Sequence, residues 1–261
     1  MGTSASLGTP AGGAWTAVKR GITSYLGGTA NSTPAAIAAG TIAAAGGLSF
    51  GGAGGGAGGG ARGGVAGTGR GRIAGVVSGV GAFGAAVRDG GLDATLGHLG
   101  LDDLRGRSVH DVVGAIGEHL CLDSDGLDRE YLQAALSEAL MEAASVGEEL
   151  GYTDFAEGLQ RFLGSEGPEG LVQLFLENFV FDALWGKIEQ HAVDRSSDAA
   201  SLESLMAAIK GVCVGQVADR MTAARDAGTF NGIDWFGRGG RDFGRSIVTE
   251  LEQRLSSLTE T

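Results

Sequence analysis

Residues 168–193 read PEGLVQLFLENFVFDALWGKIEQHAV, the most apolar stretch of the chain. Leu171, Leu174, Phe175, Phe179, Phe181, Leu184, Trp185 and Ile188 cover nearly the whole circumference of a helix. A helix apolar all round sits at a centre, packed by neighbours on several sides. Pro168 and Glu169 suit its first turn, where a missing N–H is no loss. The stretch therefore predicts a central helix, with other helices arranged around it.

The sequence on either side supplies those helices. Ser108-x-x-Asp111 forms a capping box before Val109, Val112, Val113, Ile116 and Leu120. Asp128 can cap a second helix, with Leu132, Leu136, Leu140 and Ala143 on one face. Thr153 starts a short helix bearing Phe155, Leu159, Phe162 and Leu163. Beyond the centre, Leu202, Leu205, Met206, Ile209, Val212, Val217 and Met221 make a long stripe. A glycine-containing loop with Trp235 and Phe236 follows, then a helix with Phe243, Ile247, Leu251, Leu255 and Leu258. No segment alternates as a strand does. The fold class is all-α: a bundle of about six helices, preceded by a Gly-rich, largely flexible N-terminal region.

Composition and charge both change near residue 91. Fifty of 261 residues are Gly, and 21 of them fall between Gly46 and Gly91. Residues 1–91 carry a charge of +5 and residues 92–261 carry −17. The expected organisation is a tail over 1–91, with short helices and a tether, and an acidic helical domain over 92–261. An acidic body repels phosphate backbones, so direct nucleic-acid binding is not expected. Two cysteines far apart, Cys121 and Cys213, fit a reducing compartment, and the expected location is cytoplasmic.

Within the first third, Trp15, Val18, Ile22 and Leu26 share one helical stripe. Thr33-Pro34 and Gly46 bracket a second short helix. The sequence GGAGGGAGGG (51–60) reads as a flexible tether, since each Gly costs a helix ~1 kcal/mol relative to Ala. Gly63, Gly67, Gly71, Gly75 and Gly79 recur every fourth residue, making one smooth ridge. Such a ridge suits tight packing of a soluble helix, or association inside a membrane. No uncharged window is convincing as a membrane span.

No catalytic constellation emerges. His110, His119 and Cys121 are near in sequence, but His119 and Cys121 point to different helix faces. The paired acids Asp102-Asp103 and Glu148-Glu149 read as solvated. GTGRGRIAG (67–75) lacks the Lys-Ser/Thr ending of a phosphate loop. No enzyme activity, metal or cofactor is expected.

The chain starts MGTSAS. Removal of Met1 leaves the α-amine of Gly2, whose ordinary pKa of ~7.7–8 makes it a far better nucleophile than lysine at neutral pH. Gly2, Thr3, Ser4, Ala5 and Ser6 have little bulk and suit a narrow enzyme pocket. Sixty slack residues behind them would reach ~40–45 Å r.m.s.. Met1-Gly2-x-x-x-Ser6 also fits the N-myristoylation pattern.

MGTSAS, the Gly/Arg stretch GGARGGVAGTGRGRIAGVVSGVGAFGAAV, and the segments GRSVHDVVGAI, LQAALSEALMEA, LFLENFVFDALWGKI and SLESLMAAIKGVCVGQV resemble the B proteins (QatB) of bacterial Qat anti-phage systems. The linker departs from that family, being Gly/Ala-rich where others are Pro-rich and acidic. The resemblance implies a defence operon that also encodes an ATPase, a TatD-related nuclease and a relative of 7-cyano-7-deazaguanine synthase (QatC-like). It further implies that Gly2 is conjugated to a 7-deazaguanine group by the synthase-like partner, with Thr3, Ser4, Ala5 and Ser6 read by the partner's pocket. The chain would then be adaptor and protein substrate. The competing expectation is a membrane-active effector assembling through the glycine ridge at 63–79.

Overall fold

The computed structural model describes residues 12–29, 32–48, 65–124, 126–145 and 151–258. Among them are eight α-helices: α1 (Gly13–Leu26), α2 (Pro34–Ala45), α3 (Val65–His98), α4 (Val109–Leu120), α5 (Gly126–Ala144), α6 (Tyr152–Arg195), α7 (Ala199–Asp226) and α8 (Arg238–Ser257). A 3-10 turn lies at Asp102–Leu104, and the described residues hold no strand.

The two helices predicted from Thr153 and Pro168 are both present, end to end within α6 and separated by a break at Gly167. Gly167 has φ 70°, a left-handed value that stops a helix, and Pro168 restarts it without an N–H to waste. The second half of α6 is the centre of the bundle. Leu171, Val172, Phe175, Leu176, Phe179, Val180, Ala183 and Leu184 are fully buried, and Phe175 stacks near Phe179 at 6.0 Å. Helices α1, α2, α3, α5 and α7 all pack against α6. Each large side chain so buried stabilises by ~1.5–3 kcal/mol.

Local signals set most helix ends. Thr33 Oγ1 accepts from the Ala36 N–H at 3.2 Å, Pro34 takes the first position, and Gly46 at φ 75° closes α2. A cap of the Thr33 kind contributes ~1 kcal/mol. Ser108 Oγ accepts from the Asp111 N–H at 3.1 Å and starts α4. Asp198 does the same for α7 through Ser201 at 2.7 Å. Asp128 corrects the reading: α5 begins at Gly126, so Asp128 lies within its first turn, 3% exposed. Its charge acts instead on Lys187 of α6.

Helix α8 crosses α3 at unusually short range. A Cβ on Gly244 would sit 2.5 Å from the Ala74 carbonyl oxygen, and one on Gly240 would sit 2.6 Å from Ser78 Oγ. Ser78 Oγ donates to the Trp235 carbonyl at 3.1 Å. The Trp235 ring lies over Gly81 and meets Phe230 and Phe243 at 6.3 and 5.7 Å. The crossing thus pairs Ala74-x-x-x-Ser78 with Gly240-x-x-x-Gly244, and the aromatic cluster seals one end.

Candidate functional site

The residues expected to carry function, Gly2, Thr3, Ser4, Ala5 and Ser6, lie outside the described residues, as does the 51–60 glycine stretch. The structure does describe the base from which residues 1–11 depart. On α1, Val18 and Ile22 of the expected stripe are buried, while Trp15 and Leu26 pack against the core half-covered. Glycines let α1 and α2 lie close: a Cβ on Gly21 would be 2.8 Å from Ser32 Oγ, and one on Gly40 would be 3.2 Å from Val18. His191 of α6 hydrogen-bonds the Lys19 carbonyl at 3.2 Å. Ile37, Ala38, Ala39, Thr41 and Ile42 of α2 are buried. Because α1 and α2 are docked, the reach of sixty slack residues does not apply. Eleven residues precede Gly12, and that length spans at most ~40 Å.

A buried polar clamp holds the end of α2. The Glu252 carboxylate of α8 accepts from the Leu48 N–H at 2.9 Å and pairs with Arg70 of α3 at 2.6 Å. Lys187 Nζ donates to the Leu48 carbonyl at 2.9 Å and to Ala183 at 3.1 Å. Burial pushes the Lys187 ammonium down to about 8, opposed by the charges of Asp128 and Glu252. Gly47, at φ 132°, leaves room for the carboxylate, since a Cβ there would lie 2.6 Å from Glu252 Oε1. Glu252 is only 5% exposed, so its two partners must satisfy it. One carboxylate therefore ties down the backbone before residues 49–64 and a side chain just after them. Sequence reading missed both Glu252 and Lys187. Glu252 stands among the polar residues of an amphipathic helix and carries no local mark of burial.

Burial is the leading cause of shift at several further groups. Cys121 and Cys213 are buried, and desolvation raises their thiols to about 11 and about 12, so neither is a ready thiolate. Asp182 is raised to about 7 by burial and by Glu138, with Lys210 opposing. Glu177 is raised by burial as well, although Gln173 hydrogen-bonds it at 2.9 Å. The Tyr152 hydroxyl donates to Asp93, and burial together with that bond raises it. His110 is exposed, His119 half-buried and Cys121 buried. Among the described residues no three His, Cys, Asp or Glu side chains could hold a metal ion.

The glycine ridge is a correction. Gly71 and Gly75 are exposed, with nothing within 4 Å of where a Cβ would stand; Gly79 meets only Leu120 at 3.4 Å. The buried face of α3 is Ile73, Val76, Val77 and Val80. Tight backbone packing is made by the α8 glycines instead. No described helix is long and apolar enough to cross a membrane.

Set against known families, residues 59–231 match the one described as Qat anti-phage system associated protein QatB. The chain belongs to the QatB family. It is a component of an anti-phage defence system, and proteins of the same system are its partners. The QatB match runs through α3–α7 into the loop before α8; residues 1–58, with α1 and α2, lie outside it. No curated protein and no solved structure matches the chain.

Proposed function

We propose that this QatB-family protein is a non-enzymatic adaptor and protein substrate in the cytoplasm, its N-terminal Gly2 conjugated by a 7-cyano-7-deazaguanine-synthase-like partner. The partner activates a deazapurine carboxylate with ATP, releasing pyrophosphate and holding an acyl adenylate. The neutral α-amine of Gly2 attacks the acyl carbon, AMP leaves, and the nitrogen loses a proton to give an amide. Thr3, Ser4, Ala5 and Ser6 occupy the partner's pocket. The acidic helical region, 92–261, docks the partner, while the short stretch before the docked α1 brings Gly2 to it.

The observation that carries this reading is family membership, together with a small-residue start mounted on a docked base. A fixed base limits the volume that a short segment explores, which raises its effective concentration at a partner held by the same body. The buried, protonated cysteines offer no competing nucleophile.

The test is intact-mass measurement after co-expression with the synthase-like partner. The expected result is loss of Met1 and gain of one deazapurine amide, with the gain lost in Thr3→Trp. Recovery of only the unmodified mass, with no complex on size exclusion, overturns it.

A further inference from the structure

Helix α3 breaks at Gly91, where φ is 81°, and a pocket of about 610 Å³ spans the break. Before the break, Gly79, Ala82, Ala86 and Gly90 step along α3 by three, four and four residues and line the pocket; after it, Ala94 does the same. Residues so spaced share one helix face. None of the five carries more than a methyl group, while the inward face of the same helix carries Ile73, Val76, Val77 and Val80. Leu120 of α4 and Phe236 from the loop before α8 wall the pocket, together with Phe83 and Leu99. Phe236 is 68% exposed, more than any other large apolar side chain described. Its N–H donates to Asp234 Oδ1 at 3.1 Å, which fixes the turn that carries it. The walls stand beside a floor that larger side chains on α3 would have filled.

The polar side chains of the lining are Asp89, Thr95 and His98, and their hydrogen-bonding capacity is one-sided. The Thr95 hydroxyl donates to the Gly91 carbonyl at 2.9 Å, so its proton is spent while its lone pairs remain. Arg88 Nε donates to Asp89 Oδ1 at 2.8 Å, and that bond holds the Asp89 carboxyl below its ordinary range, an acceptor with no proton to give. A neutral His98 imidazole accepts through one ring nitrogen and donates through the other. All three groups can therefore accept from a ligand, and only His98 can donate to one. Arg88 already balances the Asp89 charge, and a further net charge set against apolar walls would be costly.

The volume lies within the ~300–1,000 Å³ typical of small-molecule sites, which combine apolar walls with a few convergent polar groups. A flat ring suits a floor of glycine and alanine, and Phe83 and Phe236 offer it aromatic neighbours. A long rod is a worse match, since the break at Gly91 interrupts the row of small residues.

We infer that the pocket at the α3 break binds a neutral aromatic small molecule, its ring on the floor between Gly79 and Gly90 and its O–H or N–H group facing Asp89, Thr95 and His98. This site is independent of the chemistry at Gly2, and its test does not involve that residue. The probes are 2-naphthol and 2-methoxynaphthalene, titrated separately into the full chain by calorimetry. They share one ring system, and only the first carries a donor. Saturable binding of 2-naphthol is expected, at least ~threefold tighter than that of the ether, the worth of one net hydrogen bond. Thr95→Val and Asp89→Ala should shrink that ratio, and Phe236→Ser should weaken both probes at least ~threefold. Circular dichroism checks each variant for unchanged helicity. No saturation by 2-naphthol, equal binding of the two probes, or binding that none of the three variants alters overturns the inference. Phe236 replaced by p-benzoylphenylalanine reports other occupants in the full chain. A photo-crosslink to a segment of the same chain outside the described residues, or to a second copy, would assign the pocket to that segment or copy and overturn the inference too.

Discussion

Helices α3 and α8 both carry glycines four residues apart, and they use them in opposite ways. On α8, Gly240 and Gly244 press against Ala74 and Ser78, with no space for a side chain. On α3, Gly71 and Gly75 look into open space. The spacing marks a smooth helix face in both cases. What that face meets depends on which of its neighbours are apolar: α3 turns Ile73, Val76, Val77 and Val80 inward, and its glycines are left outside.

The sharpest way to break this contrast is to fill both faces. Gly244→Leu places a side chain where the Ala74 carbonyl stands, and should cost ~3 kcal/mol or more, enough to lower the urea midpoint severely. Gly75→Ala adds a methyl in open space and should stabilise by ~0.5–1 kcal/mol in the same measurement. Equal effects at the two positions would erase the distinction.

The clamp offers a test of intermediate size. Glu252→Gln leaves Arg70 without its carboxylate and is expected to cost about 1–3 kcal/mol. Hydrogen exchange should then rise first in α2, the element that Leu48 ends, and only later in α6. A uniform rise would mean that Glu252 supports the whole bundle rather than the docked N-terminal helices.

The smallest effect sharpens the contrast between buried and solvated acids. The folded-state pKa of Asp182 stands at about 7, above its ordinary 3.8, so this group's contribution is most favourable in acid and is lost as pH rises from ~4 to 7. Asp182→Asn should therefore stabilise more at pH 8 than at pH 5, by on the order of 1 kcal/mol, since the group is partly solvated. Thermal melts at the two pH values read the difference; a constant offset would exclude the burial effect.

How much of this was legible beforehand differs by element. The central helix, the Thr33-Pro34 start of α2, its Gly46 stop and the Ser108 cap are all written in a few adjacent residues, and the structure has them in place. The break between the Thr153 helix and the Pro168 helix is equally local: Gly167, at φ 70°, ends the first and Pro168 opens the second. The expected site at Gly2–Ser6 rests on the amino terminus and on family resemblance, and lies outside the described residues. The Glu252–Lys187 clamp was invisible, since its members are 65 positions apart and each looks like an ordinary surface charge.

Apolar periodicity and capping residues, both local properties of the chain, determined that this protein is helical and that Pro168–Val193 forms its centre. Tertiary structure alone decided which glycine row is buried, which carboxylate is enclosed, and that α1 and α2 dock on the bundle. Those outcomes depend on which surfaces share one limited core, and residues distant in sequence compete for it.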